Sequence, residues 1–83
     1  MPKKNKIHIG YLIKGKMEKD RKSKQWLADN IDCCRTNVYR IIDRPSIDTE
    51  LLHRISLALR KNFFDDLADH CQNKIDKMEE SEP

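Results

Sequence analysis

The side chains with the most chemistry to offer lie in one stretch, residues 23–43, which reads SKQWLADNIDCCRTNVYRIID. Within it Arg35, Thr36, Tyr39 and Arg40 recur at helical spacing, so one helix can carry all four at its N-terminal end. An arginine presents a planar fork of donors, which suits the paired O6 and N7 acceptors of guanine in a major groove. Elsewhere the reactive residue types do not assemble. His70-Cys71 and Cys33-Cys34 are sequence neighbours, and neighbours on a helix point about 100° apart. That spacing matches no paired zinc-ligand motif, so no metal is expected. No nucleophile–base pattern and no glycine-rich phosphate loop occurs, so neither catalysis nor a cofactor is expected. His8 and His53 read as ordinary surface or half-buried histidines. Cys33 reads as a small buried hydrophobe in a turn. Cys34 opens a helix, where a redox role for its thiol is the minor reading.

A reading helix of this kind must be held by neighbours, and the chain has little to hold it with. Its 83 residues suffice for one domain, and with 37% hydrophobic and 37% charged residues the core must come from narrow apolar stripes. No run of about 18 apolar residues exists, so no membrane span is expected. The start MPKKNK lacks the apolar stretch of a secretory signal. Three cysteines, two of them adjacent, argue against a disulfide framework and for a reducing, cytoplasmic setting. The net charge of +3 is unevenly divided: residues 1–44 carry +7 and residues 45–83 carry −4. A basic front half suits a polyanionic partner.

Every long periodicity is near 3.6, and nothing reads as a strand. Ile7, Ile9, Leu12, Ile13 and Met17 form a first helical stripe, with Lys14, Lys16, Lys19 and Lys22 around it as solvated charge. Gly10 and Gly15 weaken this helix by roughly 1 kcal/mol each relative to alanine, and Gly10 is also a candidate for a close helix contact. Ser23 caps a short second helix with Leu27, Ala28 and Ile31 inward, and Asp32 is placed for a left-handed turn. A third helix over residues 35–42 turns Val38, Ile41 and Ile42 inward, and Arg44-Pro45 stops it. Asp48 caps a fourth helix, with Ile47 stapled onto Leu52 and with Leu52, Ile55 and Leu59 as its stripe. Asn62 caps a fifth, whose stripe is Phe64, Leu67, Ala68, Cys71, Ile75 and Met78. The expected organisation is a basic arm over residues 1–6, an all-α domain over residues 7–78 and a fraying acidic tail over residues 79–83.

Two short helices meeting at residues 31–34, with small Ala28 between them, suit a helix-turn-helix at helices 2 and 3. Here the chain resembles the phage-repressor, Cro-type (XRE) helix-turn-helix proteins, also called lambda repressor-like, over roughly residues 7–70. The resemblance rests on Ile9-Gly10 and Ile13, on SKQWLADNI, on RTNVYRI, and on Leu52, Ile55, Leu59 and Phe63-Phe64. The pieces HIGYLIK, RTNVYRII and SIDTELLHRISLAL look like a subgroup of short, single-domain bacterial regulators. This implies a five-helix DNA-binding domain acting as a sequence-specific transcription regulator on double-stranded DNA, with repression the favoured mode. It also implies base contacts from Arg35, Thr36 and Arg40; Tyr39, which the third helix presents to the base edges with them, otherwise lies over a sugar-phosphate or only shields the third helix. Ser23 and Lys24 are implied at one phosphate, and Asn37 and Arg44 near the backbone. The chain departs from the family pattern where Asp32 and Arg44 replace glycine, Ile42 replaces an acid and Cys34 replaces a capping serine.

Two questions stay open at this stage. Cys71, Ile75 and Met78 carry the last stripe further than a small core needs, so they pack either on the first helix or on the same helix of a second subunit in a homodimer. The other concerns Trp26, which either covers the joint between helix 2 and helix 4 or 5, or anchors a partner. A protein-interaction module, an adaptor or a toxin-neutralising partner that kept the fold, is the alternative to DNA binding. The discriminating feature is whether Arg35, Thr36 and Arg40 are exposed on a positive face. An apolar patch there, joined by Trp26 and Tyr39, favours the alternative.

Overall fold

The computed structural model describes residues 7–81, with the side chains of residues 7–79. The expected basic arm (residues 1–6) and the last two residues of the acidic tail therefore lie outside the described residues. Five helices follow one another: α1 (Ile9–Lys19), α2 (Lys24–Asn30), α3 (Arg35–Ile42), α4 (Thr49–Leu59) and α5 (Phe63–Ser81). The described residues are all-α, as the periodicity predicts. Among them no helix is long and apolar enough to cross a membrane.

Four of the five helices, all but α3, start where a capping side chain lies. Ser23 Oγ accepts from Trp26 N at 3.0 Å and Asp48 Oδ1 accepts from Leu51 N at 2.7 Å, so α2 and α4 carry the side-chain caps read from sequence. Asn62 Oδ1 accepts from Phe64 N at 3.1 Å. A second acceptor for α5 comes from α4: buried Ser56 takes the Phe63 amide at 3.4 Å. The first helix starts two residues later than its stripe suggests, because His8 is its cap and Ile7 precedes the helix. The Nδ1 of His8 accepts from Tyr11 N at 3.1 Å, and its ring stacks on the Tyr11 ring at 3.8 Å between centroids. The two amides ahead of Tyr11 leave the helix for a distant loop: Ile9 N donates to Pro45 O and Gly10 N to Arg44 O, each at 2.9 Å.

That seat demands glycine. A Cβ on Gly10 would collide with the Ile42 carbonyl and lie 2.8 Å from Arg44 O. Gly15, by contrast, faces open space, with nothing within 4 Å of where a Cβ would sit.

Three of the helices end in the same way. Lys22 N reaches Met17 O, Cys33 N reaches Ala28 O and Lys61 N reaches Ser56 O, so the residue before each donor turns left-handed. Those residues are Arg21, Asp32 and Arg60, at φ of 59°, 60° and 55°. Glycine is the usual occupant of such a position, and Asp32 alone of the three is expected from sequence.

The core draws on all five helices: Ile9, Ile13 and Met17; Leu27, Ala28 and Ile31; Val38, Ile41 and Ile42; Leu52, Ile55 and Leu59; and Phe63. Helix α3 packs on α2 and α1, and α4 packs on α2 and α5. Two corrections concern α5. Phe63, not Phe64, is its fully buried anchor, while Phe64 and Leu67 are half-buried and Ala68 is exposed. The helix also runs through Ser81, so residues 79–81 of the expected fraying tail are helical. Its distal half leaves the body of the protein. The radius of gyration is 14.5 Å, against about 12 Å for a compact chain of this length, and the long axis measures 51 Å.

Candidate nucleic-acid interface

Helix α3 is divided by its own periodicity. Val38, Ile41 and Ile42 face the core, and the opposite side carries Thr36 and Arg40, flanked by Arg35 and Tyr39 on one edge and Asn37 on the other. Arg35, Thr36, Asn37, Tyr39 and Arg40 are all exposed, Tyr39 at 52%. Among the described residues Arg35, Thr36 and Arg40 form no side-chain hydrogen bond or ion pair, so their donors remain available. Cys34 holds the extended N-cap conformation of α3, but its thiol makes no capping bond.

Lys24 joins the two short helices. Its ammonium stands over the Tyr39 ring, 5.4 Å from the centroid, so the first residue of α2 and the outward ring of α3 form one unit. Ser23 is adjacent and exposed. Its oxygen accepts from the Trp26 amide, which leaves the hydroxyl proton free to donate outward. The expected phosphate pair and the expected reading residues thus share one surface, with Arg44 exposed just beyond the C-terminal end of α3.

Trp26 does not extend this surface as an apolar patch. It is half-buried against the core, beside Ala58 and Leu59 of α4, with Lys22 Nζ 4.8 Å from its ring centroid. Of the four lysines around the first helix, two have specific company: Lys22 on this ring, and Lys16 in an ion pair with Asp20 at 3.1 Å. Lys14 and Lys19 are exposed.

Two further residues bear on the site and are not among the candidates read from the sequence. Asp43, the exposed C-cap of α3, lies on the same side as Thr36 and Arg40. A carboxylate there can accept from the N4 amino group of cytosine and repels phosphate. Its helical spacing of seven from Thr36 and three from Arg40 is the signal that finds it. Arg54 of α4 donates from Nη2 to Ile31 O at 3.1 Å, pinning the α2–α3 turn onto α4. The same guanidinium acts on Cys33, which is half-buried rather than buried. Burial pushes the Cys33 thiol above its ordinary pKa and the adjacent Cys34 adds to this, while Arg54 opposes it.

No group of three His, Cys, Asp or Glu able to hold a metal ion occurs among the described residues. No protein-family model, no curated protein and no solved structure matches this chain.

Proposed function

We propose that this chain is a sequence-specific, double-stranded DNA-binding transcription regulator of the phage-repressor-like helix-turn-helix class, acting as a repressor in the bacterial cytoplasm. In this reading α2 and α3 form the helix-turn-helix, α3 enters the major groove, and bound protein obstructs polymerase. The observation that carries the reading is the outward face of α3, where Arg35, Thr36 and Arg40 are exposed with no partner of their own among the described residues. Arg35 and Arg40 are forks suited to guanine, and Thr36 is able to bond either partner of a pair. Lys24, Ser23, Asn37 and Arg44 surround that face as phosphate contacts, which set the register of the helix without carrying sequence information. The +7 charge of residues 1–44 supplies the long-range attraction. No catalysis, cofactor or small-molecule ligand enters this reading.

The protein-interaction alternative loses support from the half-burial of Trp26 and from the charged character of the α3 face. Selection of bound duplexes from a random pool, with unlabelled nonspecific DNA as competitor, tests the proposal. One enriched motif is expected. A pool that stays random through repeated rounds, at salt concentrations where the protein still binds DNA, overturns it.

A further inference from the structure

Gly15 and Arg60 each run against the local backbone they occupy. Gly15 stands in the interior of α1 with nothing within 4 Å of where a Cβ would sit, so alanine fits there and favours the helix. Arg60 holds the left-handed position that ends α4, at φ of 55°, where glycine is unstrained. Both residues line one depression, with Tyr11, Leu12 and Lys19 of α1 and with Lys61. Departures from local stability that meet on one surface mark it as kept for another purpose.

Arg60 and Lys61 form the wall between this depression and a second one, which holds His53, Leu57 and Phe64. The two have volumes of about 380 and 590 Å³ and are open to solvent, so a chain can lie across them. Both offer apolar surface: Tyr11 and Leu57 are each 65% exposed, and Leu12 and Phe64 are half-buried. No acidic residue lines either depression. Lys16, on the rim of the first, and Lys61 are answered from outside, by Asp20 at 3.1 Å and Asp66 at 3.2 Å. Lys19 and Arg60 have no acidic partner among the described residues. No residue of α3 contributes, so this surface shares nothing with the proposed reading face.

We propose that this surface docks a segment of a partner protein in which one acidic side chain stands between two apolar ones. The acid meets Arg60, whose planar guanidinium takes a carboxylate through two parallel hydrogen bonds. The apolar side chains enter the depressions on either side, one against Tyr11 and Leu12, the other against Leu57 and Phe64. Glycine at position 15 lets the backbone of the segment come close to α1. The arrangement selects this occupant over others. A nucleic acid satisfies the cations but leaves Leu57 and Phe64 without apolar company. A wholly apolar segment buries the Arg60 charge with no counter-charge.

This inference does not rest on the DNA-binding reading. Random peptides displayed on phage and selected on the full chain test it. Enriched peptides are expected to share an Asp or Glu between two large apolar residues. A pool that does not enrich, or that enriches without the acid, overturns the proposal. The enriched peptide, made synthetically with a fluorescent label, is then titrated by anisotropy against variants of the chain. Arg60→Gly and Gly15→Leu are each expected to weaken binding about tenfold or more. Both are expected to melt at or above the temperature of the parent, because each new residue suits its backbone better. Loss of binding without loss of stability separates docking from a structural role, and unchanged affinity in both variants overturns the proposal. Arg60→Glu is expected to lose the peptide and to regain affinity for a version whose acid is lysine. Failure of that rescue overturns the contact at Arg60. Random-sequence duplex DNA is expected to bind Arg60→Gly and the parent alike. A loss there as large as the loss of peptide assigns the surface to nucleic acid and overturns the proposal.

Discussion

The ammonium of Lys24 rests 5.4 Å from the centroid of the Tyr39 ring, across the junction between α2 and α3. A lysine otherwise free to sample many rotamers is thereby held at the edge of the proposed reading face. Tyr39→Ala is expected to weaken DNA binding partly by releasing Lys24. In a double-mutant cycle with Lys24→Ala, measured as affinity for the selected duplex, a coupling of about 0.5–1 kcal/mol is expected. Lys24→Ala alone is expected to lower the salt slope by about one. Strict additivity means that the two residues act separately.

Arg35→Ala and Arg40→Ala are each expected to cost about 1–3 kcal/mol on the preferred site and to relax base choice at one position. Competition binding against single-base variants of the site measures both effects. If the loss is the same on every sequence, these arginines belong with the phosphate contacts.

The two glycines of α1 are expected to behave oppositely. Gly15→Ala has open space around it and is expected to raise stability by up to about 1 kcal/mol. Gly10→Ala drives a methyl against the Ile42 carbonyl and is expected to cost about 1–3 kcal/mol or more. Thermal melting of the pair gives the comparison, and equal effects would mean that α1 does not sit on the end of α3.

Arg21 and Asp32 both hold left-handed angles at helix ends. Replacement by glycine removes the steric cost and adds some unfolded-state entropy, so Arg21→Gly is expected to gain up to about 1 kcal/mol. Asp32→Gly is expected to gain less, because aspartate tolerates this conformation better than arginine. Chemical denaturation measures both, and a clear loss at either position is the opposing result.

Local chemistry made much of this fold legible in advance. Ser23, Asp48 and Asn62 are capping residues a few positions from the amides they bind, and Val38, Ile41 and Ile42 share one side of a helix by spacing alone. Long-range contacts to backbone atoms were not legible. Nothing in the side chains of Arg44 or Pro45 says that their carbonyls take the amides of Ile9 and Gly10, and Arg54 carries no mark of its bond to Ile31 O. Adjacent Phe63 and Phe64 differ by about 100° around the helix. Which one turns inward depends on how Ser56 and Asn62 hold the entry to α5. The left-handed turns at Arg21 and Arg60 were hidden because arginine there gives none of the signal that glycine would. For the proposed interface, the exposed side chains of α3 follow from the helix and its buried face, whereas the Lys24–Tyr39 contact needs the angle between α2 and α3.

The seat of α1 also governs how this protein tolerates change in length. A surface connection such as the one between α3 and α4 is ordinarily where insertions are absorbed. Here two of its carbonyls, at Arg44 and Pro45, are the acceptors for the first two amides of α1. An extra residue between Ile42 and Pro45 shifts that pair out of line and leaves the amides of buried Ile9 and Gly10 without partners. Residues 43–45 are a spacer of fixed length, so extensions to this side of the protein have to enter after Pro45, ahead of the Asp48 cap.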